Sequence, residues 1–181
     1  TFKTTEEVVQ PDRDKKISLA ESAQAILKNP PLMVVIGIFS CGMLSFTVRQ
    51  STTAYFFIYN VGDPSLIAWF FSVTLGSMLV GIWAVPMLAE KFGKAGATRL
   101  GAYLTIVGCI GFYFTAWTSI EQLFFWGCVV ALGGTPVAVL GWAMIPDTVE
   151  YAEHKLGVRA DGAIFSTASF FQKLAKTIGG A

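Results

Sequence analysis

The stretch Asp147-Thr148-Val149-Glu150-Tyr151-Ala152-Glu153-His154-Lys155-Leu156-Gly157-Val158-Arg159-Ala160-Asp161-Gly162 gathers four carboxylates, two cations and the only histidine of the chain. At helical spacing Asp147, Glu150, Tyr151 and His154 share one face, and Gly157 is well placed to end that helix in a left-handed conformation. Such a face can form ion pairs that close and part; the plainer reading is a solvated loop. A second group lies further on. Ser166, Ser169, Lys173 and Lys176 or Thr177 recur at spacings of three and four and make one polar stripe. If the apolar segment starts near Ala163, Lys173 lies roughly 15 Å deep at helical rise. A lysine at that depth costs at least about 2.5 kcal/mol unless it faces water or a partner, so the stripe should line a water-filled path. The alternative is a later start, with Lys173 and Lys176 snorkelling to the interface. Arg49 is the other charge inside an apolar stretch. Its guanidinium could hold a carboxylate bidentately, or it could be a structural charge near an interface. His154 is read as a solvated face residue.

No nucleophile beside a base, no metal-ligand cluster and no phosphate-cradling glycine loop accompanies these groups, so no enzyme and no metal site is expected. Cys41, Cys109 and Cys128 lack CxxC spacing and are expected to be small core residues. Composition states the setting. Of 181 residues 54% are hydrophobic and 14% charged, and mean hydropathy is +0.59, too apolar for a soluble domain of this length. The net charge of +1, with cations scattered between apolar runs, leaves no basic face for nucleic acid.

The elements that must position these residues follow from the apolar runs. Residues 1–31 form a connecting segment in which Ser18-Leu19-Ala20-Glu21 reads as a capping box opening a short amphipathic helix. Asn29-Pro30-Pro31 ends it and restarts the chain. Residues 32–181 form a transmembrane bundle with spans at about 32–59, 66–88, 100–117, 123–145 and 163–181. The first would reach roughly 42 Å, more than the approximately 30 Å hydrocarbon core, so it must tilt or protrude. Glu90 to Arg99 reads as a basic loop. Lys3, Arg13, Lys15, Lys16 and Lys28, then Lys91, Lys94 and Arg99, then Lys155 and Arg159, fall on alternate connections, while the turns at 60–64 and 118–122 hold none. That alternation predicts five spans with residues 1–31, 89–99 and 146–162 cytoplasmic. Gly133-Gly134-Thr135-Pro136 in the fourth span and Pro86 in the second are either broken-helix sites facing a cavity or packing kinks where small residues let helices approach. The polar start without a signal peptide and the close at Ile178-Gly179-Gly180-Ala181 read as a chain cut at both ends.

The charged stretch is similar to a family pattern. D-x-x-[DE]-Y-x-E-x-K-x-G-x-R-x-[DE], followed by S-x-x-x-F-x-x-K, resembles the loop between helices ten and eleven of glycoside–pentoside–hexuronide:cation symporters of the melibiose-permease type. Asp147, Glu150, Tyr151, Glu153, Lys155, Arg159, Asp161, Ser166 and Lys173 match it. Asn29-Pro30-Pro31-Leu32 and Tyr55-Phe56-Phe57-Ile58-Tyr59 resemble the two ends of that family's helix seven.

The resemblance implies an all-α membrane protein of the major facilitator fold, twelve helices in two six-helix halves, with this chain as helices seven to eleven. It implies sugar symport by alternating access, coupled to Na+ or H+ bound mainly by the absent first half, with no other cofactor. Partners are then the bilayer, the sugar and that first half. Asp147, Glu150, Glu153, Arg159 and Asp161 would form a cytoplasmic gate by pairing with the other half. Lys173 would link cation and sugar sites, with Ser169 and Gln172 as candidate sugar contacts. At helix ten the family's familiar member has a sugar-stacking tryptophan where this chain has Ala138; Trp142, one turn later, either substitutes or packs. Arg49 would suit a hexuronide carboxylate. Two other readings stay open: a facilitator-fold carrier of a lysolipid, and a non-transporting membrane sensor.

Overall fold

A computed structural model describes residues 19–157 and 160–180, and every regular element among them is helical. Helix α1 spans Leu19–Leu27, and α2 spans Pro30–Phe56. Asn29 starts α2: its Oδ1 accepts from the Leu32 N–H at 3.1 Å, while Pro30 and Pro31 occupy first-turn positions where a missing N–H is harmless. Thr47 and Thr53 hide their hydroxyls on the carbonyls of Met43 and Arg49. The helix then widens into a π-helical turn, Phe57–Val61, closed by Gly62 at φ 78°, whose N–H donates to Phe57 O at 3.0 Å. Phe57 is fully buried there. It packs on Phe70 and Phe124 with ring centroids 5.1 and 6.4 Å away.

Helix α3 runs from Ser65 to Phe114. Fifty residues in one straight helix would reach about 75 Å, more than twice the hydrocarbon thickness. The path is broken at Gly93 (φ 71°, ψ 164°), which turns residues 65–92 and 94–114 into two arms. Helix α4 spans Ile120–Leu156 and α5 spans Asp161–Gly180. Gly157 ends α4 at φ 66°, its N–H donating to Glu153 O at 3.0 Å, which is the left-handed stop its position predicts. Three helical stretches, 30–61, 65–114 and 120–155, are long and apolar enough to cross a membrane. Their outer faces carry Trp83 and Phe114 at 80% exposure or more, as a surface meeting lipid would.

The chain has two ends, which we call the Gly93 end and the Gly62 end. At the Gly93 end Leu32, Val35 and Ile36 of α2, Ile145, Val149 and Ala152 of α4, and Ile164 and Ala168 of α5 form one buried cluster. Along the middle, α3 and α4 meet glycine to backbone: a Cβ on Gly101 would fall 2.6 Å from Gly133 O. Helices that associate in lipid gain from such close approach, because apolar burial alone gives them little.

Three expectations are corrected, and one open pair of alternatives is decided. The basic loop expected at 89–99 is helical on both sides of Gly93; one glycine able to take positive φ makes the turn. At Gly133-Gly134-Thr135-Pro136, where a broken helix and close packing were both open, α4 runs through and Gly133 packs against the second arm of α3. The third expected span ends earlier, at Phe114, where Thr115 turns extended. Cys41 and Cys109 are exposed and Cys128 half-buried, because the first two line a groove between helices and not the core. The expected capping box begins at Ser18, outside the described residues.

Candidate functional site

The charged motif is the last third of α4, carried past Pro146 as uninterrupted helix. Asp147, Glu150, Glu153 and His154 are exposed and Tyr151 is half-buried, as their helical spacing predicts. Thr148, Val149 and Ala152 fill the opposite, buried side. Asp161 is exposed at the first turn of α5. Arg159 lies outside the described residues.

Asp147 has a partner inside the chain. Lys94, the residue after the Gly93 break, donates from Nζ to both carboxylate oxygens at 2.7 Å and to Ala143 O at 3.3 Å. The expected partner for Asp147 lay in another half of the protein; in this structure it is a lysine of the same chain, 53 residues earlier. The two side chains are 45% and 51% exposed, so the pair contributes only about 0 to 1 kcal/mol and can open at little cost. Its partner was hidden in the sequence because Lys94 served there only as one of several loop cations. The positive-φ glycine beside it is the signal that could have singled it out.

On α5, Ile164, Ala168 and Ala175 are buried. Ser166, Lys173, Lys176 and Thr177 are exposed, with Ser169 and Gln172 half-buried. The polar stripe therefore turns away from the face that packs on α2 and α4. The Lys173 ammonium meets no carboxylate among the described residues. Trp142 of α4 is 42% exposed and packs edge-on against Phe39 of α2, ring centroids 5.1 Å apart. Packing and partial exposure coexist there, so its indole retains a free face.

Arg49 occupies a different place. A cavity of about 730 Å³ opens between α2, α3 and α4, lined by Ser45, Arg49 and Phe56 of α2, Cys109 and Tyr113 of α3, and Val130 of α4. The Arg49 guanidinium lies 5.9 Å from the centre of the Phe46 ring, a cation–π distance. No ion pair or hydrogen bond joins Arg49 to Lys173, Trp142 or Asp147 among the described residues. The sequence-derived site residues thus fall into four places: Asp147, Glu150 and Glu153 at the Gly93 end, Lys173, Ser169 and Gln172 on the open face of α5, Trp142 of α4 against Phe39, and Arg49 in the cavity.

The buried Asn29 was missed as more than a helix breaker. Its Nδ2 donates to Thr148 O at 2.8 Å, so the start of α2 is tied to the residue after Asp147.

The model of a family described as MFS/sugar transport protein matches residues 1–181. Among curated proteins, the chain is 36% identical over 198 aligned positions to an isoprimeverose transporter of Lactiplantibacillus pentosus, covering 99% of this chain and 38% of that protein. It is 34% identical over 165 positions to a provisionally named sulfoquinovose importer of Escherichia coli strain K12, covering 91% and 35%. It is 32% identical over 197 positions to a glucuronide carrier protein homolog of the same strain, covering 99% and 39%. The chain spans little more than a third of the length of these relatives.

Proposed function

The chain belongs to the MFS/sugar transport protein family, and from that premise we propose that it is part of a carrier moving a sugar or glycoside across a membrane by alternating access, coupled to Na+ or H+. The carrying observation is the two-sided construction of α5: Ile164, Ala168 and Ala175 buried, Lys173 and its serine neighbours turned away from the packed core. A charge kept on such a face needs water or an ionic partner, and a transport path supplies both. In this reading Lys173 interacts with carboxylates outside the chain and links cation to sugar, while Ser169 and Gln172 contact the sugar. Trp142 offers a ring face for stacking against it.

The Gly93 end is the cytoplasmic mouth, with residues 1–31, 89–99 and 146–162 on that side of a bacterial inner membrane. The two arms of α3 then count as separate spans, giving five with α2, α4 and α5. Asp147, Glu150, Glu153, Arg159 and Asp161 serve as the gate, and the Lys94–Asp147 pair is one of its closing contacts. The relatives' names include isoprimeverose and a glucuronide, and an anionic sugar gives Arg49 a role as carboxylate ligand. One observation favours a second reading. The cavity around Arg49 is apolar apart from a few polar groups and could take a lysolipid, with its phosphate on the guanidinium.

The test is uptake by the full-length protein in proteoliposomes, using a panel of glycosides, glucuronides and lysolipids, with and without Na+ and proton gradients. Gradient-driven uptake of one sugar class, lost in Lys173→Ala, is the expected result. Lysolipid movement without sugar uptake would replace the sugar reading, and ligand binding without movement of any substrate would make the protein a sensor.

A further inference from the structure

Asn29 is fully buried and uses both ends of its amide. Oδ1 accepts from Leu32 N–H at 3.1 Å, and Nδ2 donates to Thr148 O at 2.8 Å, across 119 residues of sequence. The first bond is an ordinary helix cap, which Ser, Thr or Asp would supply as well. The second is not part of capping. It needs an N–H donor from the same side chain, and an ionised Asp supplies none.

The position of the second bond gives it meaning. Thr148 follows Asp147, so two polar links reach α4 at adjacent residues: Lys94 ties residue 147 to the second arm of α3, and Asn29 ties residue 148 to α2. The links differ in setting. Lys94 and Asp147 are about half exposed. Asn29 and Thr148 are at 2% exposure or less, Leu32, Ile145, Val149 and Ile164 of the neighbouring cluster at 5% or less, and the Thr148 hydroxyl donates to Ile145 O at 2.7 Å. A hydrogen bond in so dry a place is costly to leave unmade, whereas the wet ion pair can open freely.

We propose that Asn29 is a positioning residue of the transport cycle: it fixes α2 to α4 beside Asp147, so the two helices move as one body and present the carboxylate to Lys94 at a set height and rotation. This rests on the reading of the Gly93 end as a mouth that opens and closes.

The experiment compares Asn29→Asp, Asn29→Ser and Lys94→Gln in the full-length protein. Asn29→Asp keeps the cap oxygen and removes the donor; Asn29→Ser is neutral and shorter and stands in if the first fails to reach the membrane. Hydrogen exchange over residues 147–156 and uptake per folded transporter are measured together. Expected for the Asn29 variant are faster exchange in that segment, a maximal uptake rate lowered about tenfold and a KM for sugar unchanged. Unchanged exchange overturns the clamp, and uptake that falls only with the amount of folded protein reduces Asn29 to a cap. Normal transport by Lys94→Gln overturns the gate reading and with it this role. Impaired Lys94→Gln beside an unaltered Asn29 variant overturns only the present proposal.

Discussion

Helix α4 is held on two sides by contacts built in opposite ways. Toward α3 the seam is built on glycines at close approach: a Cβ on Gly133 would fall 2.6 Å from Thr105 N, one on Gly108 2.6 Å from Val130 Cγ2, and one on Gly127 2.6 Å from the Phe70 ring. Toward α2 and α5, at the Gly93 end, aliphatic side chains interlock around a buried amide, and beside it an exposed ion pair joins α4 to the start of the second arm of α3. At Gly133 the contact has no second arrangement, since neither the glycine nor Thr105 N has a rotamer to change. The Gly93 end combines a dry clamp with a wet pair. The α3–α4 seam is therefore closed by its glycines in the middle, and adjustable chemistry lies at the Gly93 end.

Two adjacent glycines test the rigid side with the largest effect. Gly133→Val drives side-chain atoms into the α3 backbone, and overpacking of that sort costs about 1 to 3 kcal/mol or more when the neighbour cannot yield. Gly134 has nothing within 4 Å of its Cβ position, so Gly134→Val is expected to accumulate and elute normally from a sizing column in detergent, while Gly133→Val is largely lost. Equal yields of the two variants would mean the seam is loose and the contrast between the two sides of α4 is false.

The adjustable side predicts a smaller change. Lys94→Gln and Asp147→Asn each remove the exposed pair, and stability should fall by no more than about 1 kcal/mol, less at high salt. The exchanged pair, Lys94→Asp with Asp147→Lys, should recover most of the coupling in a double-mutant cycle of thermal unfolding. Uptake should respond more than stability does, because the contact forms in only part of the cycle. A stability loss of several kcal/mol in either single variant would make the pair a structural strut.

What was legible in the sequence follows the same division. Apolar runs and a 3.6-residue period located the long apolar helices, the exposed face of Asp147, Glu150 and His154, and the Gly157 stop, because each depends on neighbours a few residues apart. The Lys94–Asp147 and Asn29–Thr148 contacts join residues 53 and 119 positions apart, and nothing local in either segment names the other. Gly133 and Gly134 look alike in sequence, yet only one lies against α3. Charge density misled at 89–99: Lys91, Lys94 and Arg99 read as a loop, whereas long aliphatic stems let such residues sit on a helix with their heads in water. Cys41 and Cys109 were misjudged because a small apolar side chain fits a groove wall as well as a core.

The smallest prediction concerns the Gly62 end, where Asp63 Oδ1 accepts from the Ser65 hydroxyl at 2.6 Å and the Ser65 N–H at 2.9 Å. These bonds, the hydroxyl first, hold the Asp63 carboxyl below its ordinary value. A carboxylate whose folded value is depressed adds stability above its unfolded value, near pH 4, and loses it as pH falls through the lower folded value. The side chain is fully exposed, so the effect should be a slight one. Asp63→Asn keeps an acceptor for both donors and should unfold like the parent at neutral pH, with a flatter dependence on acid below about pH 4. Thermal unfolding in detergent from pH 3 to 7 reads this directly. A large neutral-pH loss in Asp63→Asn would give the Gly62 end a polar fastening comparable to the one at the Gly93 end, and the asymmetry between the two ends would disappear.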